Sequence, residues 1–288
     1  MTIDIEAARA AAPARPFDVR RLSRKAALHG TMILLSLVAV LPIYWMVATS
    51  LRPANDIFSS SLWPSAPSPE NYRLVLESLP MFRMLANTVV MAAATAALQV
   101  LTGLLAAYAL TRWRFRFSGT VHALIALSWL VPFQVTMIPN YVLATRLGLL
   151  DTLTGLVVPN AAAAFAVLIL YNAMKSFPRE VIEAARMDGA KHWRILWEIV
   201  TPNLRAAIAS LAVLAFISAW NEYFWPLLLS RKIENSVVQI GLQMFMAQEG
   251  NLWGALMAAA TLASLPILVI YLILQRQVIE SFMKSGLK

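Results

Sequence analysis

Long apolar stretches bounded by charged residues divide this chain. Five stretches of 23 to 29 residues contain no Lys, Arg, Asp or Glu, and a sixth, between Arg205 and Arg231, contains only Glu222. An α-helix needs about 20 residues to cross the roughly 30 Å hydrocarbon core of a membrane. The pattern therefore predicts an all-α membrane protein with six transmembrane helices, at approximately 28–51, 84–110, 119–141, 153–174, 206–230 and 252–274.

The basic residues lie mainly on one side of the predicted bundle. If the N-terminus is cytoplasmic, 18 of the 24 Lys and Arg residues fall in the N-terminal tail 1–25, the loops 111–118 and 175–205, and the C-terminal tail. Cytoplasmic loops of membrane proteins carry such an excess of positive charge. We therefore expect both termini of the chain to be cytoplasmic, and we attribute the net charge of +9 to topology and not to nucleic-acid binding.

Composition excludes several other classes of protein. The chain is 59% hydrophobic and 14% charged, against roughly 25% charged residues in a typical soluble domain. It contains no Cys and only three isolated His residues, so disulfides, thiol catalysis and cysteine metal sites are ruled out. It also lacks a G-x-x-x-x-G-K-[ST] phosphate loop. No catalytic, metal or cofactor residues are predicted, and the chain is not expected to be an enzyme.

The predicted loop 175–205, which belongs to a six-span domain at 26–288, is too long and too ordered to be a simple turn. Pro178 suits the first position of a helix, and helix-forming residues follow it as far as Met187. Gly189 then lies where a left-handed C-terminal cap would end the helix. We predict a short helix that ends in a sharp bend at Gly189.

A second helix is predicted from Ala190, lying on the membrane interface. Its apolar residues are spaced to form one face, made of Trp193, Leu196, Trp197 and Val200. The two Trp residues would anchor this face at the interface. Arg194 and Glu198 form an i,i+4 pair away from that face. Thr201 and Pro202 are typical of a cap and a first helical position, and they are expected to begin the fifth span.

The loop has two interpretations. It could be a solvated amphipathic linker, or it could dock onto a partner, since Ala184 and Ala185 side by side would make a narrow helix surface able to enter a groove.

The sequence Glu183-Ala184-Ala185, followed after three residues by Gly189, resembles the EAA loop of the membrane subunits of bacterial ATP-binding cassette (ABC) importers. In that family the loop forms a coupling helix that sits in a cleft of the cytoplasmic ATPase. The resemblance implies that Glu183, Ala184, Ala185 and Gly189, with Asp188 beside them, make this contact. Thr201-Pro202 stands where the family usually has Leu-Pro.

The resemblance extends from about residue 28 to the C-terminus. Within this range the chain is similar to the carbohydrate-uptake branch of the family. This resemblance is carried by segments such as Pro69-Glu70-Asn71-Tyr72, 148–152 and Trp220-Asn221-Glu222. It implies a type I ABC importer permease in a bacterial inner membrane, like the smaller membrane subunit of maltose importers. The implied partners are a second homologous permease, two ATPase subunits that hold ATP and Mg, an extracytoplasmic solute-binding protein and membrane lipid.

Glu222 is the one acidic residue inside a predicted span. Such a residue usually faces the bundle interior, a water-filled path or a polar partner. With Asn221 and Tyr223 it could line a substrate path; alternatively, it makes a structural hydrogen bond or lies at the wetted mouth of the bundle. Gln99 and Asn160 are expected to form hydrogen bonds between helices.

Alternative functions remain open at this point. An ion-driven secondary transporter usually has several ionisable groups near the midplane, whereas an intramembrane enzyme would need a nucleophile, a metal or a carboxylate pair. An importer of the same type could also carry a polyol, a glycerol phosphate or a sulfonated or phosphorylated sugar.

For the coupling interpretation, we expect Gly189→Asp to abolish transport. The external segment 53–82 could meet a binding protein or form an external cap.

Overall fold

The computed structural model describes residues 19–113, 115–247 and 252–286. It is helical, and these residues contain no β-strand. The helices are α1 (Val19–Ser50), α2 (Glu70–Ser78), α3 (Met81–Arg112), α4 (Ser118–Ser128), α5 (Phe133–Arg146), α6 (Leu153–Val157), α7 (Ala164–Lys175), α8 (Arg179–Met187), α9 (His192–Asn203), α10 (Arg205–Trp220), α11 (Phe224–Leu229), α12 (Val238–Ala247) and α13 (Trp253–Gly286). The predicted all-α class is confirmed. Of the predicted tail 1–25, residues 1–18 lie outside the described residues, and 19–25 belong to α1.

The described residues contain between three and six candidate membrane spans. Three single helices are long and apolar enough to cross a membrane, namely α3, the Ser23–Ser50 part of α1 and the Trp253–Ile273 part of α13. Three further candidates are bent pairs, which are α4 with α5, α6 with α7 and α9 with α10. If each bent pair is one span, the total is the predicted six.

The third predicted span, 119–141, is not one continuous helix. It consists of α4 and α5, whose axes differ by 96°, and the second helix continues to Arg146. The break lies just before Pro132, which disfavours helical backbone at the residue preceding it. The fourth predicted span, 153–174, is likewise divided into α6 and α7 at 47°, and a 3₁₀ turn at Val158–Asn160 follows α6.

The fifth predicted span, 206–230, is interrupted near its C-terminal end. Helix α10 ends at Trp220 and α11 begins at Phe224, so that Asn221, Glu222 and Tyr223 form a non-helical connection. Irregular backbone within a membrane protein is tolerated where it is enclosed by protein or lines a cavity. The break therefore places these three residues on irregular backbone between two helices.

Helix α3 is the centre of the bundle, because α7 and α10 pack along it. Its contact surface is built from small buried residues, which are Ala92, Ala96, Gly103 and Ala107. Small residues let helix backbones approach closely in membrane proteins. At Gly103 the approach is tight, since an added Cβ would lie 3.1 Å from both the carbonyl carbon and the Cβ of Ala166 in α7.

A Gly103→Val variant should lower the thermal stability of the purified chain, because the larger side chain would push α3 and α7 apart. Overpacking of this kind costs typically about 1–3 kcal/mol. Gly30→Val in α1 is the matched control, because a Cβ at Gly30 meets nothing within 4 Å. Thermal unfolding followed by size-exclusion chromatography would measure both variants, and equal stability of the two would contradict the close approach at Gly103.

Two helices outside the predicted spans were not anticipated. Helix α2 packs on α13, and α12 packs on α13 and α3. The chain that precedes α2 is folded back by Arg52, whose buried side chain donates hydrogen bonds to Ser61 and lies 3.5 Å from the Asp56 carboxylate. Asn71 of α2 donates hydrogen bonds to the Arg52 and Ser50 carbonyls. The segment between α1 and α3 is therefore packed on this end of the bundle.

Candidate functional site

The helix–bend–helix form predicted for loop 175–205 is present. Pro178 is the N-cap of α8 and not its first residue, so the helix begins at Arg179. At the other end, Gly189 adopts a φ of +79°. The Gly189 N–H donates to the Arg186 carbonyl and the Ala190 N–H donates to the Ala185 carbonyl, both at 3.0 Å. These two bonds form a Schellman motif, which fixes the direction in which the chain leaves α8.

Helix α8 is anchored by one face and exposed on the other. Ile182 and Ala185 are buried against the bundle, whereas Glu183, Ala184 and Asp188 are exposed. The expectation that Ala184 and Ala185 together make an outward surface is therefore wrong, because neighbouring residues in an α-helix point about 100° apart. Of that pair, only Ala184 is presented outward.

Helix α9 differs from the regular helix predicted from its spacing. Residues Ile195–Val200 form a π-helical segment, and this wider turn changes which side chains face inward. Ile195 is fully buried beside Leu196 and Val200, whereas Trp193 is 65% exposed and packs edge-to-face on Trp197. Of the predicted face, Leu196 and Val200 are thus buried against the protein, and Trp193 stays exposed.

The connection from α9 to the fifth span also differs from the prediction. Thr201 and Pro202 lie within α9, and the Thr201 hydroxyl donates to the Leu196 carbonyl. The chain turns by 80° at Leu204, and α10 begins at Arg205. The predicted pair Arg194–Glu198 is confirmed at 2.7 Å.

The loop is tied to the end of α3 through His192. The Tyr108 hydroxyl lies 3.2 Å from the His192 Nδ1 atom and donates to the His192 carbonyl. The Trp113 ring packs edge-to-face on the same imidazole at 5.7 Å. These contacts connect α9 directly to the helix at the centre of the bundle.

A second candidate site is a small polar cavity between α3, α6, α10 and the break in the fifth span. Its volume is about 70 Å³, and its polar lining consists of Thr95, Gln99, Asn160, Ser218 and Glu222. Small-molecule sites usually have about 300–1,000 Å³. In this conformation the cavity has room for a few water molecules and not for a sugar.

Glu222 lies at a cavity and also makes a structural hydrogen bond. It lines the cavity, and its Oε1 atom accepts a hydrogen bond from the Trp225 N–H at the start of α11, at 3.2 Å. Asn221 and Tyr223 do not line this cavity. Asn221 is exposed and donates to the Ile217 carbonyl, and the Tyr223 ring packs on Phe224.

Other polar cavity residues were missed as site residues. The expected hydrogen bond of Gln99 is present, because its Nε2 atom donates to the Asn160 carbonyl at 2.9 Å. The same two residues nevertheless line the cavity beside Glu222. Thr95 and Gln99 are four residues apart on α3 and so share a face with each other, which is a signal that the sequence already contained.

Comparison with known families gives a match over most of the chain. The family described as the binding-protein-dependent transport system inner membrane component matches residues 99–283.

Individual relatives and a solved structure are similar over nearly the whole chain. The sn-glycerol-3-phosphate transport system permease protein of Yersinia pestis is 31% identical over 267 residues, which is 89% of this chain and 95% of that protein. The lactose transport system permease protein of Rhizobium radiobacter is 27% identical over 257 residues, covering 89% and 94%. A chain in the crystal structure of a bacterial ABC transporter involved in the import of the acidic polysaccharide alginate matches with a TM-score of 0.76 and 25% identity, covering 92% of this chain and 99% of that one.

Proposed function

The chain belongs to the family of inner membrane components of binding-protein-dependent transport systems, and from this premise we propose that it is a permease subunit of an ATP-driven importer for a sugar or sugar derivative. It forms half of the translocation path. The cargo is inferred from the relatives, whose names include lactose, arabinooligosaccharide and sn-glycerol-3-phosphate transport. A glycerol phosphate or another polyol derivative is therefore the second candidate cargo.

The observation that carries the proposal is the geometry of the loop around α8. The Schellman motif at Gly189 and the buried Ile182 and Ala185 hold the helix firmly on the bundle. Its exposed residues Glu183 and Ala184, with Asp188 at the bend, are then available to a partner. A rigidly seated helix can transmit the movement of a docked ATPase, because it cannot absorb that movement by bending.

The complete transporter contains four kinds of partner besides this chain. They are a second homologous permease, two ATPase subunits, a solute-binding protein outside the membrane, and the surrounding inner-membrane lipid. ATP and Mg are held by the ATPases, and the present chain supplies neither catalytic residues nor a cofactor. Both termini and the loop 175–205 face the cytoplasm, in agreement with the distribution of Lys and Arg.

Transport proceeds by alternating access. ATP binding closes the two ATPases, the coupling helix moves with its cleft, and α3 follows through the Tyr108–His192 contact. The cavity beside Glu222, which is too small for a sugar here, then opens as the helices rearrange. The driving free energy is the difference between the affinities of the two states for ATP.

Co-purification from the native host in mild detergent tests the proposal. We expect an ATPase and a second permease to remain bound to the wild-type chain and to be lost with Glu183→Ala. Glu180→Ala is the matched control, since Glu180 is also an exposed carboxylate of α8. A wild-type chain that purifies alone and takes up cargo in response to an ion gradient would contradict the proposal and favour a secondary transporter.

A further inference from the structure

Four basic side chains converge at one end of α3 and α7. Arg112 is the last residue of α3, Lys175 is the last residue of α7, and Arg179 and Arg186 belong to α8. They line two adjoining cavities of about 260 and 180 Å³, which share Thr111, Arg112 and Arg179. We call this combined space the basic cleft.

The positive charge of the basic cleft is not balanced by ion pairs. In the part of the chain that the structure describes, salt bridges join Arg52 to Asp56 and Arg194 to Glu198, and neither pair touches the cleft. Glu183 is the one carboxylate in the lining, against four basic groups. Like charges gathered in one partly enclosed space repel each other, so an anion in the cleft would stabilise the arrangement.

Helix dipoles do not explain all of these charges. A cation at a helix C-terminus is favourable, which accounts for Arg112 and Lys175. Arg179, however, is the first residue of α8, where the helix dipole disfavours a cation. Its position therefore needs another reason, and a ligand shared with Arg112 would provide one.

The Arg112 guanidinium is held by one hydrogen bond, and one of its buried N–H groups has no acceptor. Its Nη2 atom donates to the Met174 carbonyl at 3.2 Å, whereas its Nε atom is buried without a hydrogen-bond partner. Guanidinium groups bind phosphate through paired N–H donors. Arg112 and Arg179 line both cavities and so are the central pair of the cleft.

The surroundings place the cleft at the level of a membrane surface. Trp113 and Tyr171 line its second cavity, and Trp113 is 52% exposed. Trp and Tyr are enriched where membrane helices meet lipid headgroups. Basic pockets between membrane helices at the cytoplasmic surface bind anionic headgroups.

We propose that the basic cleft binds the phosphate of an anionic phospholipid in the leaflet that meets the C-terminal ends of α3 and α7. The site adjoins the exposed residues assigned to ATPase coupling and shares Glu183 with them, whereas Arg112 and Arg179 are not among those residues. The proposal does not depend on the cargo, because it requires only that α3 and α7 end at a membrane surface.

Native mass spectrometry of the full chain in mild detergent tests this site. The chain is incubated with equal amounts of phosphatidylglycerol and phosphatidylcholine, and retention of each lipid is compared. We expect wild type to retain phosphatidylglycerol selectively. The double variant Arg112→Gln/Arg179→Gln should bind it about 25-fold more weakly, from about fivefold for each basic residue removed.

Two further variants separate charge from general damage. Lys191→Gln/Arg205→Gln removes two exposed charges that line neither cavity, and it should retain phosphatidylglycerol as wild type does. Arg112→Lys/Arg179→Lys keeps the charge but loses the paired N–H donors, so its binding should lie between that of the Gln variant and that of wild type. Binding above that of the Gln variant shows that the Gln variant fails for electrostatic reasons and not because it misfolds.

Three outcomes would overturn the proposal, and one further outcome supports it. Equal retention of the two lipids by wild type, or undiminished phosphatidylglycerol binding by the Arg112→Gln/Arg179→Gln chain, would show that no headgroup occupies the cleft. Displacement of phosphatidylglycerol by an excess of inorganic phosphate is expected of a phosphate site. Binding of inorganic phosphate without any preference for phosphatidylglycerol would instead assign the cleft to a soluble anion.

Discussion

Gly189→Asp should reach the membrane at normal levels and fail to transport. The left-handed backbone at Gly189 is tolerated by Asp and Asn better than by other residues, and an added Cβ meets nothing within 4 Å. The bend therefore survives this substitution, and the new carboxylate lies on the exposed surface next to Asp188. The loss of transport is expected to come from charge placed in the ATPase contact, more than from a broken bend.

Gly189→Asn is the matched control, because it has the same shape as Asp without the charge. Since Asn also serves as a left-handed cap, we expect its transport to stay within about twofold of wild type. Uptake of labelled cargo by cells, normalised to the amount of each variant in the membrane, measures the effect. Normal uptake by the Asp variant would refute the coupling role of the bend.

Gly189→Val separates the conformational part of the effect. A β-branched residue in this region of backbone costs at least about 1–2 kcal/mol, which would loosen the Schellman motif without adding charge. Its transport should lie between those of the Asn and Asp variants. If Val and Asn behave alike, the left-handed conformation is unimportant for coupling.

The sequence was sufficient to predict the helical class and the six apolar stretches, but not the direction of each helix. Hydropathy records whether residues are apolar and gives no information on where the chain turns. The 96° bend between α4 and α5 follows from Pro132, yet Pro42 and Pro266 lie inside continuous helices. A proline in an apolar stretch therefore does not by itself predict a break, because neighbouring helices can satisfy the freed backbone.

The loop illustrates the same limit at the level of single residues. The bend at Gly189 was predictable, because a glycine just after a helix commonly adopts the left-handed backbone that ends the helix. The π-helical segment Ile195–Val200 was not predictable from a period of 3.6, because it changes the period locally and buries Ile195 beside Leu196.

The polar cavity required contacts between segments far apart in sequence. Glu222 could be singled out because it is the one acidic residue in its span. Thr95, Gln99, Asn160 and Ser218 are uncharged, and only the packing of α3, α6 and α10 brings them to the same cavity. Such residues are ordinary helix-contact residues until the fold is known.

Glu222→Ala should lower transport about tenfold, equivalent to about 1.4 kcal/mol, because it removes a hydrogen-bond acceptor and the one carboxyl group of the cavity. The Trp225 N–H at the start of α11 loses its acceptor, and loss of a helix cap costs typically about 1 kcal/mol. The cavity also loses its one carboxyl group, which lines it together with Gln99 and Thr95. The break between α10 and α11 would then no longer be held in one conformation.

Glu222→Gln distinguishes these two contributions. Its amide oxygen has the shape needed to accept from the Trp225 N–H, so the cap is kept while the carboxylate is removed. We expect transport within about threefold of wild type, since a cap of the same geometry retains most of its stabilisation. Uptake and thermal stability should be measured for both variants in the assembled transporter. If Gln lowers transport as far as Ala while its thermal stability stays normal, capping is not the main role of Glu222, and the carboxylate itself acts on the cargo in the path.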